Sequence, residues 1–245
     1  MSIRTILTFY LPLAASWILM SIEGPVSVRL ISMRPDSVTH TAAFLVVMGI
    51  ALWIESPIID LLSTSTTLAT DRARIHILRN FSLMLMGFTT LVHLLVTATP
   101  LYGLLMDHVL HIRTEVAEAA RGPLIAMLPW SASIGWRRWQ QGVMIRASKT
   151  RGIGYGTAMR LCFILAVGFT LIATTKLSGV MVAGVALASS VFAEAMFISY
   201  VARPAFAQIE AAEPTGEPLT YRDLIRFHLP LSLSTFVGLT AIPLL

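Results

Sequence analysis

Apolar residues occur in stretches long enough to cross a lipid bilayer, separated by short polar segments. A bilayer core about 30 Å thick requires about 20 apolar residues per helix. This pattern predicts six complete spans and the start of a seventh, at residues 9–31, 41–67, 81–106, 122–144, 158–175, 179–202 and 227–245. Residues 83–95 and 180–191 are apolar on every face, whereas the strands of a membrane β-barrel alternate apolar and polar positions. The pattern therefore predicts an all-α integral membrane bundle.

Composition supports a membrane location. Hydrophobic residues make up 56% of the chain and charged residues only 13%, whereas soluble globular domains contain about 25% charged residues. So few charges cannot cover the surface of a soluble globule. The single cysteine, Cys162, excludes an internal disulfide and a zinc cluster built on thiolates.

The distribution of basic residues predicts the orientation. If the N-terminus is cytoplasmic, thirteen Lys and Arg residues lie on the cytoplasmic side, Arg137, Arg138 and Arg160 among them, and five lie on the opposite side. Cytoplasmic segments carry the excess of Lys and Arg in membrane proteins. We therefore expect a multi-pass protein of the cytoplasmic (inner) membrane with its N-terminus in the cytoplasm.

Two segments of the chain resemble each other. Residues 9–16 (FYLPLAAS) align with residues 227–234 (FHLPLSLS), and the same offset aligns Pro25 with Pro243. Coincidence between two Leu-rich segments is the alternative. A repeat predicts a six-span lobe at 1–202, a cytoplasmic linker at 203–226 and the start of a second lobe at 227–245. Six spans return the chain to its starting side, so two such lobes are parallel repeats. We then expect a truncated twelve-span architecture that lacks most of its C-terminal lobe.

The first predicted span contains a carboxylate. An ionisable residue at the centre of a span costs at least ~2.5 kcal/mol, so it is a candidate functional residue. Glu23 shares a helical face with Pro12 and Ser16, and both Pro12 and Pro25 can kink the helix. A bent helix with a carboxylate suits a proton or cation relay. The alternative is that Glu23 is a structural partner or lies at the outer interface.

Two further spans contain acidic residues. Glu55 and Asp60 flank Pro57, a possible kink in the second span, and Glu194 lies in the sixth. Asp60 has the alternative role of pairing with a cytoplasmic arginine. Together with Glu23, these residues predict a cation- or proton-responsive cavity lined by spans one, two and six.

The strongest basic feature is the pair Arg137 and Arg138, followed by Gln141 in the string Trp136-Arg-Arg-Trp-Gln-Gln-Gly142. One interpretation is that the arginines snorkel to the interface while Trp136 and Trp139 lie in the aromatic belt. The other is that they form a basic lining that attracts an anionic solute or lipid headgroups. Residues 152–156 (GIGYG) are expected to form a loop.

No pattern in the sequence indicates an enzyme. It contains no Ser/His/Asp grouping with credible geometry, no third ligand beside His108 and His111, and no feature other than charge that favours nucleic acid. We therefore expect no catalytic residues, metal or organic cofactor, and no nucleic-acid partner. The expected partners are a small-molecule solute, membrane lipid and the missing C-terminal lobe.

Two stretches resemble a known family. The string Thr114-Glu-Val-Ala-Glu-Ala-Ala120 with Pro123 is similar to the corresponding segment of multidrug and toxic compound extrusion (MATE) transporters. The string Arg138-Trp-Gln-Gln-Gly142 with residues 150–157 resembles the junction of spans four and five in the wider superfamily. That superfamily includes oligosaccharidyl-lipid and polysaccharide flippases and the progressive-ankylosis exporters.

The resemblance implies half of a two-lobed exporter that works by alternating access and is driven by a proton or sodium gradient. In one branch an acidic residue and a proline of the first span carry the coupling proton, and Glu23 with Pro12 or Pro25 would match that role. The family residue is usually aspartate. Glu55 and the pair Arg137 and Arg138 also depart from the pattern of drug exporters.

Several functions remain open at this stage. The leading hypothesis is a multidrug-type antiporter that moves an organic solute out of the cytoplasm. A lipid-linked oligosaccharide flippase and an exporter of organic anions or pyrophosphate are alternatives. From another class, a six-span membrane scaffold or membrane-embedded enzyme is the competing hypothesis.

Overall fold

The computed structural model describes residues 3–214 and 216–240, which form helices joined by short turns and contain no strand. The helices pack as one bundle, in which α8 lies between α1 and α9, and α7 contacts α3, α4 and α9. Their bounds are α1 Ile3–Ser32, α2 Ser37–Ile59, α3 Leu61–Leu68, α4 Arg72–Ala98, α5 Leu101–Leu104, α6 Thr114–Ala126, α7 Leu128–Arg146, α8 Arg151–Thr174, α9 Gly179–Val201, α10 Arg203–Glu210 and α11 Tyr221–Thr240.

Five helical segments of the described residues are long and apolar enough to span a membrane: Ile6–Ser32, Ser37–Leu68, Arg72–Ala98, Arg151–Thr174 and Gly179–Val201. The predicted fourth span, 122–144, is not among them. It divides at Met127 into the end of α6 and the 19-residue α7. Pro129 lies in the first turn of α7, where its missing N–H costs no helical hydrogen bond. Arg137 and Arg138 make α7 the polar member of the bundle.

Two other spans differ from their predicted bounds. The second divides at Asp60, just after Pro57, into α2 and α3. The third begins earlier than predicted, at Arg72, and ends at Ala98, before α5 and a π-helical turn at Leu105–Val109. Asp71 sets the early start, because its carboxylate accepts the N–H of Arg74 at 3.0 Å and caps the helix.

The segment predicted as a linker contains ordered structure. Residues 203–210 form α10, and α11 begins at Tyr221 with a reciprocal cap between Thr220 and Asp223. Hydrogen bonds from Thr220 lower the pKa of the exposed Asp223 carboxyl. Pro243, which belongs to the internal repeat, lies outside the described residues.

Helix α11 is attached to α2 and α3 through His228. The ring Nε2 donates to the carbonyl of Pro57 at 2.8 Å, and Nδ1 lies 2.8 Å from the hydroxyl of Thr64. Because a carbonyl can only accept, Nε2 carries a hydrogen, and the hydroxyl of Thr64 is the hydrogen-bond partner of Nδ1. Farther along, Trp53 donates to Thr240 at 3.1 Å. The first helix of the proposed second lobe is therefore held by polar contacts as well as by apolar ones.

Glycines allow several helices to approach closely. A Cβ on Gly142 would lie 2.6 Å from the carbonyl oxygen of Leu62, so α7 contacts α3 backbone to backbone. The GIGYG segment is not the expected loop, because it forms the first turns of α8. Gly154 there lies against Pro12 of α1, and Gly156 lies against Ile198 and Glu194 of α9. These contacts bring the first turns of α8 against α1 and α9.

Candidate ion and solute site

Glu23 of α1 forms an ion pair with Arg160 of α8. The carboxylate Oε2 accepts from the guanidinium Nη2, and the two residues are only 6% and 3% exposed. Ser16 and Ser27 are buried on the same side of α1, as the shared helical face predicts. Isolated charges are too costly to bury, so each residue requires the other.

Arg160 links this pair to a second one. Its Nη1 lies 3.5 Å from Oε2 of Glu194 on α9, and the same oxygen accepts from Nη1 of Arg137 on α7 at 2.8 Å. Thr157 of α8 reaches the other carboxylate oxygen of Glu194 at 3.5 Å. A continuous chain of charges, Glu23–Arg160–Glu194–Arg137, therefore joins α1, α8, α9 and α7.

Glu55 of α2 enters the same region by a separate contact. It is buried and accepts the indole N–H of Trp130 on α7. The guanidinium carbon of Arg160 lies 5.7 Å from the centre of the Trp130 ring, within the range of a cation–π contact. Trp130 therefore contacts Glu55 directly and is linked to Glu23 through Arg160.

A cavity of about 360 Å³ opens beside these side chains. This volume lies within the ~300–1,000 Å³ that small-molecule sites occupy. The cavity is apolar along most of its wall and charged at one end. Its lining comprises Met20, Glu23, Gly24, Ser27, Phe44, Leu45, Met48, Leu52, Glu55, Ile59, Trp130, Ile134, Arg137, Arg138, Arg160 and Leu187.

A second, smaller cavity of about 150 Å³ adjoins the first. It is lined by Ser16, Gln141 and Thr157 among others, and it shares Met20, Arg137 and Arg138 with the larger cavity. The arginine pair therefore lines both spaces, one along α2 and one toward the C-terminal end of α7.

Several polar atoms of this site have no hydrogen-bond partner. They are Oε1 of Glu23, Nε and Nη2 of Arg137, Nε of Arg138 and Nε of Arg160, all buried. Buried donors and acceptors are almost always paired in proteins, and an unpaired charged group is especially costly. The site therefore has unused hydrogen-bonding capacity, most of it in guanidinium groups.

The positions of the arginines correct two sequence predictions. Arg137 does not snorkel to the interface: its side chain is 1% exposed and bound to Glu194. Trp136 and Trp139 likewise pack inside the bundle with their rings 4.9 Å apart, and Trp136 donates to Ser199 at 2.8 Å. Arg160 is not a cytoplasmic residue but a buried part of the network.

The cavity is lined by the three expected spans, since Leu187 belongs to the sixth, and the fourth and fifth spans line it as well. Spans one and two contribute Glu23 and Glu55, but the fourth and fifth spans supply the arginines and Trp130. Glu194 of the sixth span lies behind Arg137 and Arg160 rather than on the wall. Asp60 lies outside this cavity, at the break between α2 and α3.

The prediction missed Arg160 and Trp130. A signal for Arg160 was present, because it is the only charged residue between Arg151 and Lys176 and falls inside an apolar span. No sequence signal distinguishes Trp130 from other tryptophans near the ends of spans. No group of three potential metal ligands occurs among residues 3–214 and 216–240.

Comparison of the sequence with family models and curated proteins finds no match. Comparison with solved structures does find similar proteins. The chain is similar to an outward-facing multidrug resistance MATE family transporter of the MOP superfamily, with a TM-score of 0.70 and 19% identity over 95% of this chain and 52% of the transporter. It is also similar to a MOP superfamily transporter from Pyrococcus furiosus, with a TM-score of 0.65 and 16% identity over 95% of this chain and 52% of that protein. The latter is described as having a binding pocket whose reverse polarity suggests a different function.

The fold is therefore that of one half of a MATE transporter. This finding confirms the all-α membrane fold class and the resemblance predicted from the sequence. The chain spans about half the length of the transporters it matches.

Proposed function

We propose that this chain forms the first lobe of a secondary active exporter in the cytoplasmic membrane. The exporter works by alternating access, is coupled to a proton or sodium gradient, and moves an organic solute out of the cytoplasm without an enzymatic step. The observation that carries this proposal is the buried pair of Glu23 and Arg160 on the wall of a cavity of solute size. The fold, shared with half of a transporter, supports the same function.

Glu23 is the coupling residue in this proposal. It connects α1 to α8, and binding of a proton or sodium ion to its carboxylate would weaken the pair with Arg160. A ligand shifts a conformational equilibrium only if it binds the two states with different affinity. The ion supplies that difference when one state keeps the Glu23–Arg160 contact and the other does not.

The lobe organisation is part of the proposal. Residues 1–202 form the first six-span lobe, 203–226 the cytoplasmic connection and 227–245 the start of a second lobe with the same direction. The contact of His228 with Pro57 and Thr64 supports this arrangement, because it places α11 on the side of α2. The central cavity would then be closed by helices of the second lobe.

The test uses the full protein that contains this chain, reconstituted in liposomes with an imposed proton or sodium gradient. Efflux of a panel of cationic, neutral and anionic organic solutes is measured for the native protein and for Glu23→Gln. Glu23→Gln should abolish the dependence of transport on the gradient. Glu210→Gln, the same change at an exposed position of α10, should transport as the native protein does. Unchanged gradient-driven efflux by Glu23→Gln would contradict the role of Glu23.

A further inference from the structure

Three guanidinium groups line the larger cavity. Arg137, Arg138 and Arg160 all lie on its wall, and each has at least one buried nitrogen without a hydrogen-bond partner. Arg137 keeps both Nε and Nη2 unused, because its contact with Glu194 occupies only Nη1. Guanidinium groups recognise carboxylate and phosphate through paired N–H donors, so these free donors match an anion.

The charges of the site balance only in one protonation state. Three arginines face three carboxyl groups, Glu23 on α1, Glu55 on α2 and Glu194 on α9. With all carboxyls ionised the cluster is neutral. A proton on any one of them leaves an uncompensated positive charge in a low-dielectric region, which is costly unless an anion accompanies it.

Glu23 is the carboxyl group on the cavity wall that is paired directly with an arginine. Glu194 accepts from Arg137, Arg160 and Thr157, and Glu55 accepts from Trp130. Glu23 has one partner, Arg160, and its second oxygen has none. It also borders the cavity, so an incoming ligand can reach Arg160 beside it.

We propose that the cavity binds a small organic anion through Arg160, with Arg137 and Arg138 as additional donors, and that the anion binds together with a proton on Glu23. This inference rests on the proposed transport function and names its substrate class and the sign of its coupling. The anion and the Glu23 carboxylate compete for Arg160. Protonation of Glu23 releases the guanidinium, and the anion replaces the carboxylate as its partner.

The coupling is reciprocal. If a proton on Glu23 raises the affinity for the anion, then the anion raises the affinity for the proton by the same factor. The proton and the anion therefore bind together in the same state of the transporter.

The recognised chemistry is a carboxylate, sulfonate or phosphate group on a molecule small enough for the cavity. A free organic anion and an anionic lipid headgroup share this chemistry. Because the bundle lies in a membrane, the test also includes an anionic lipid as a possible ligand.

The binding experiment uses the full protein in nanodiscs of zwitterionic lipid, with titration calorimetry as the readout. Ethanedisulfonate serves as the probe for pH dependence, since its charge is constant, and pyrophosphate compares variants at one pH. Native protein should bind ethanedisulfonate more tightly at mildly acidic than at alkaline pH. We expect a change of about tenfold, within the ~5–150-fold that coupled sites typically show. Equal affinity at both pH values would overturn the inference.

Variants of Glu23 and Arg160 test whether these two residues cause the pH dependence of anion binding. Glu23→Gln, which imitates the protonated carboxyl, should bind pyrophosphate about tenfold more tightly at alkaline pH than native protein does. Its binding of ethanedisulfonate should also lose the pH dependence. Arg160→Gln should lose binding, and the conservative Arg160→Lys should weaken it while retaining the pH dependence. Arg151→Gln, at an exposed position on the same helix, and Glu210→Gln are the matched controls and should bind as the native protein does.

The remaining outcomes separate the hypotheses. If Glu23→Gln weakens anion binding, or Arg160→Gln leaves it intact, the inference is wrong. If no anion binds but Glu23-dependent transport of a cation persists, the inference fails while the proposed function stands. If no solute is transported at all, the proposed function fails. In nanodiscs containing phosphatidylglycerol, Arg160-dependent binding of that lipid without binding of free pyrophosphate identifies the headgroup as the anion.

Discussion

Arg137 of α7 donates to Glu194 of α9 across 2.8 Å, and both side chains are almost completely excluded from solvent. Arg160 of α8 reaches the same carboxylate oxygen at 3.5 Å and continues to Glu23 of α1. One carboxylate therefore holds two arginines from two different helices. This sharing makes the relative position of four helices depend on a single acidic side chain.

Removal of that carboxylate should strongly destabilise the bundle. Breaking a buried pair leaves an uncompensated charge and typically costs ~3–5 kcal/mol, so Glu194→Gln should lower the free energy of unfolding by about that amount. The control is Glu115→Gln. Glu115 forms an exposed ion pair with Arg113 at 3.2 Å, and exposed ion pairs contribute about 1 kcal/mol or less to the free energy of unfolding. Chemical denaturation of the full protein in detergent measures the free energy of unfolding of the two variants. Equal effects would show that the buried network stabilises the bundle no more than an exposed ion pair does.

The contact between α7 and α3 predicts a difference between two glycines. A Cβ on Gly142 would lie 2.6 Å from the carbonyl oxygen of Leu62, whereas a Cβ on Gly87 of α4 would meet nothing within 4 Å. Gly142→Ala should therefore cost ~1–3 kcal/mol through overpacking. Gly87→Ala should be neutral or stabilise by up to ~1 kcal/mol, because alanine favours helix. Thermal denaturation distinguishes them, and a neutral Gly142→Ala would refute the close approach of the two backbones.

His228→Phe should loosen α11 while preserving most of the ring volume. The substitution removes the hydrogen bonds to Pro57 and Thr64, and each is worth ~0.5–1.5 kcal/mol. We expect faster limited proteolysis in residues 211–220 and a lower free energy of unfolding. His76→Phe, at an exposed position of α4, should change neither. If proteolysis is unaltered in His228→Phe, α11 is held by its apolar contacts alone.

Trp130→Phe should separate the two roles of this side chain. The ring beneath Arg160 remains, but Glu55 loses its indole donor and is left buried without that partner. An unsatisfied buried polar group costs ~1–3 kcal/mol, and more when charged. The double variant with Glu55→Gln should recover part of that loss, and the double-mutant cycle gives the coupling energy from denaturation curves. Additive single effects would show that the two side chains do not interact.

Cysteine labelling tests the orientation. In a Cys162→Ser background, Gln208→Cys on α10 should react with a membrane-impermeant maleimide only from the cytoplasmic side. Glu115→Cys on α6 should react only from the opposite side, because both positions are exposed and the positive charges predict a cytoplasmic N-terminus. The reverse labelling pattern would show that the buried arginines misled the charge count. Two of the thirteen cations assigned to the cytoplasmic side, Arg137 and Arg160, are buried, and Arg138 also lies on the cavity wall.

The sequence predicted the fold class and most helices because both depend on local patterns. Runs of apolar residues near 20 in length identify spans regardless of their neighbours. The prediction from the sequence failed where a span contains polar residues, as in α7. It also failed where glycines continue a helix, as at Gly152–Gly156 in α8. At those glycines the contacts with α1 and α9 decide the structure, and the local composition of the sequence does not reveal such contacts.

The sequence by itself determined that this is a helical membrane protein and that Glu23, Glu55 and Glu194 are buried within it, since few charges occur in long apolar runs. Only the tertiary structure decided their partners. Glu23 meets Arg160 although 136 residues separate them along the chain, and Glu194 meets Arg137 across two helices. The physical reason is that burying a carboxylate requires a counter-charge, but the identity of that counter-charge depends on which helix faces pack together.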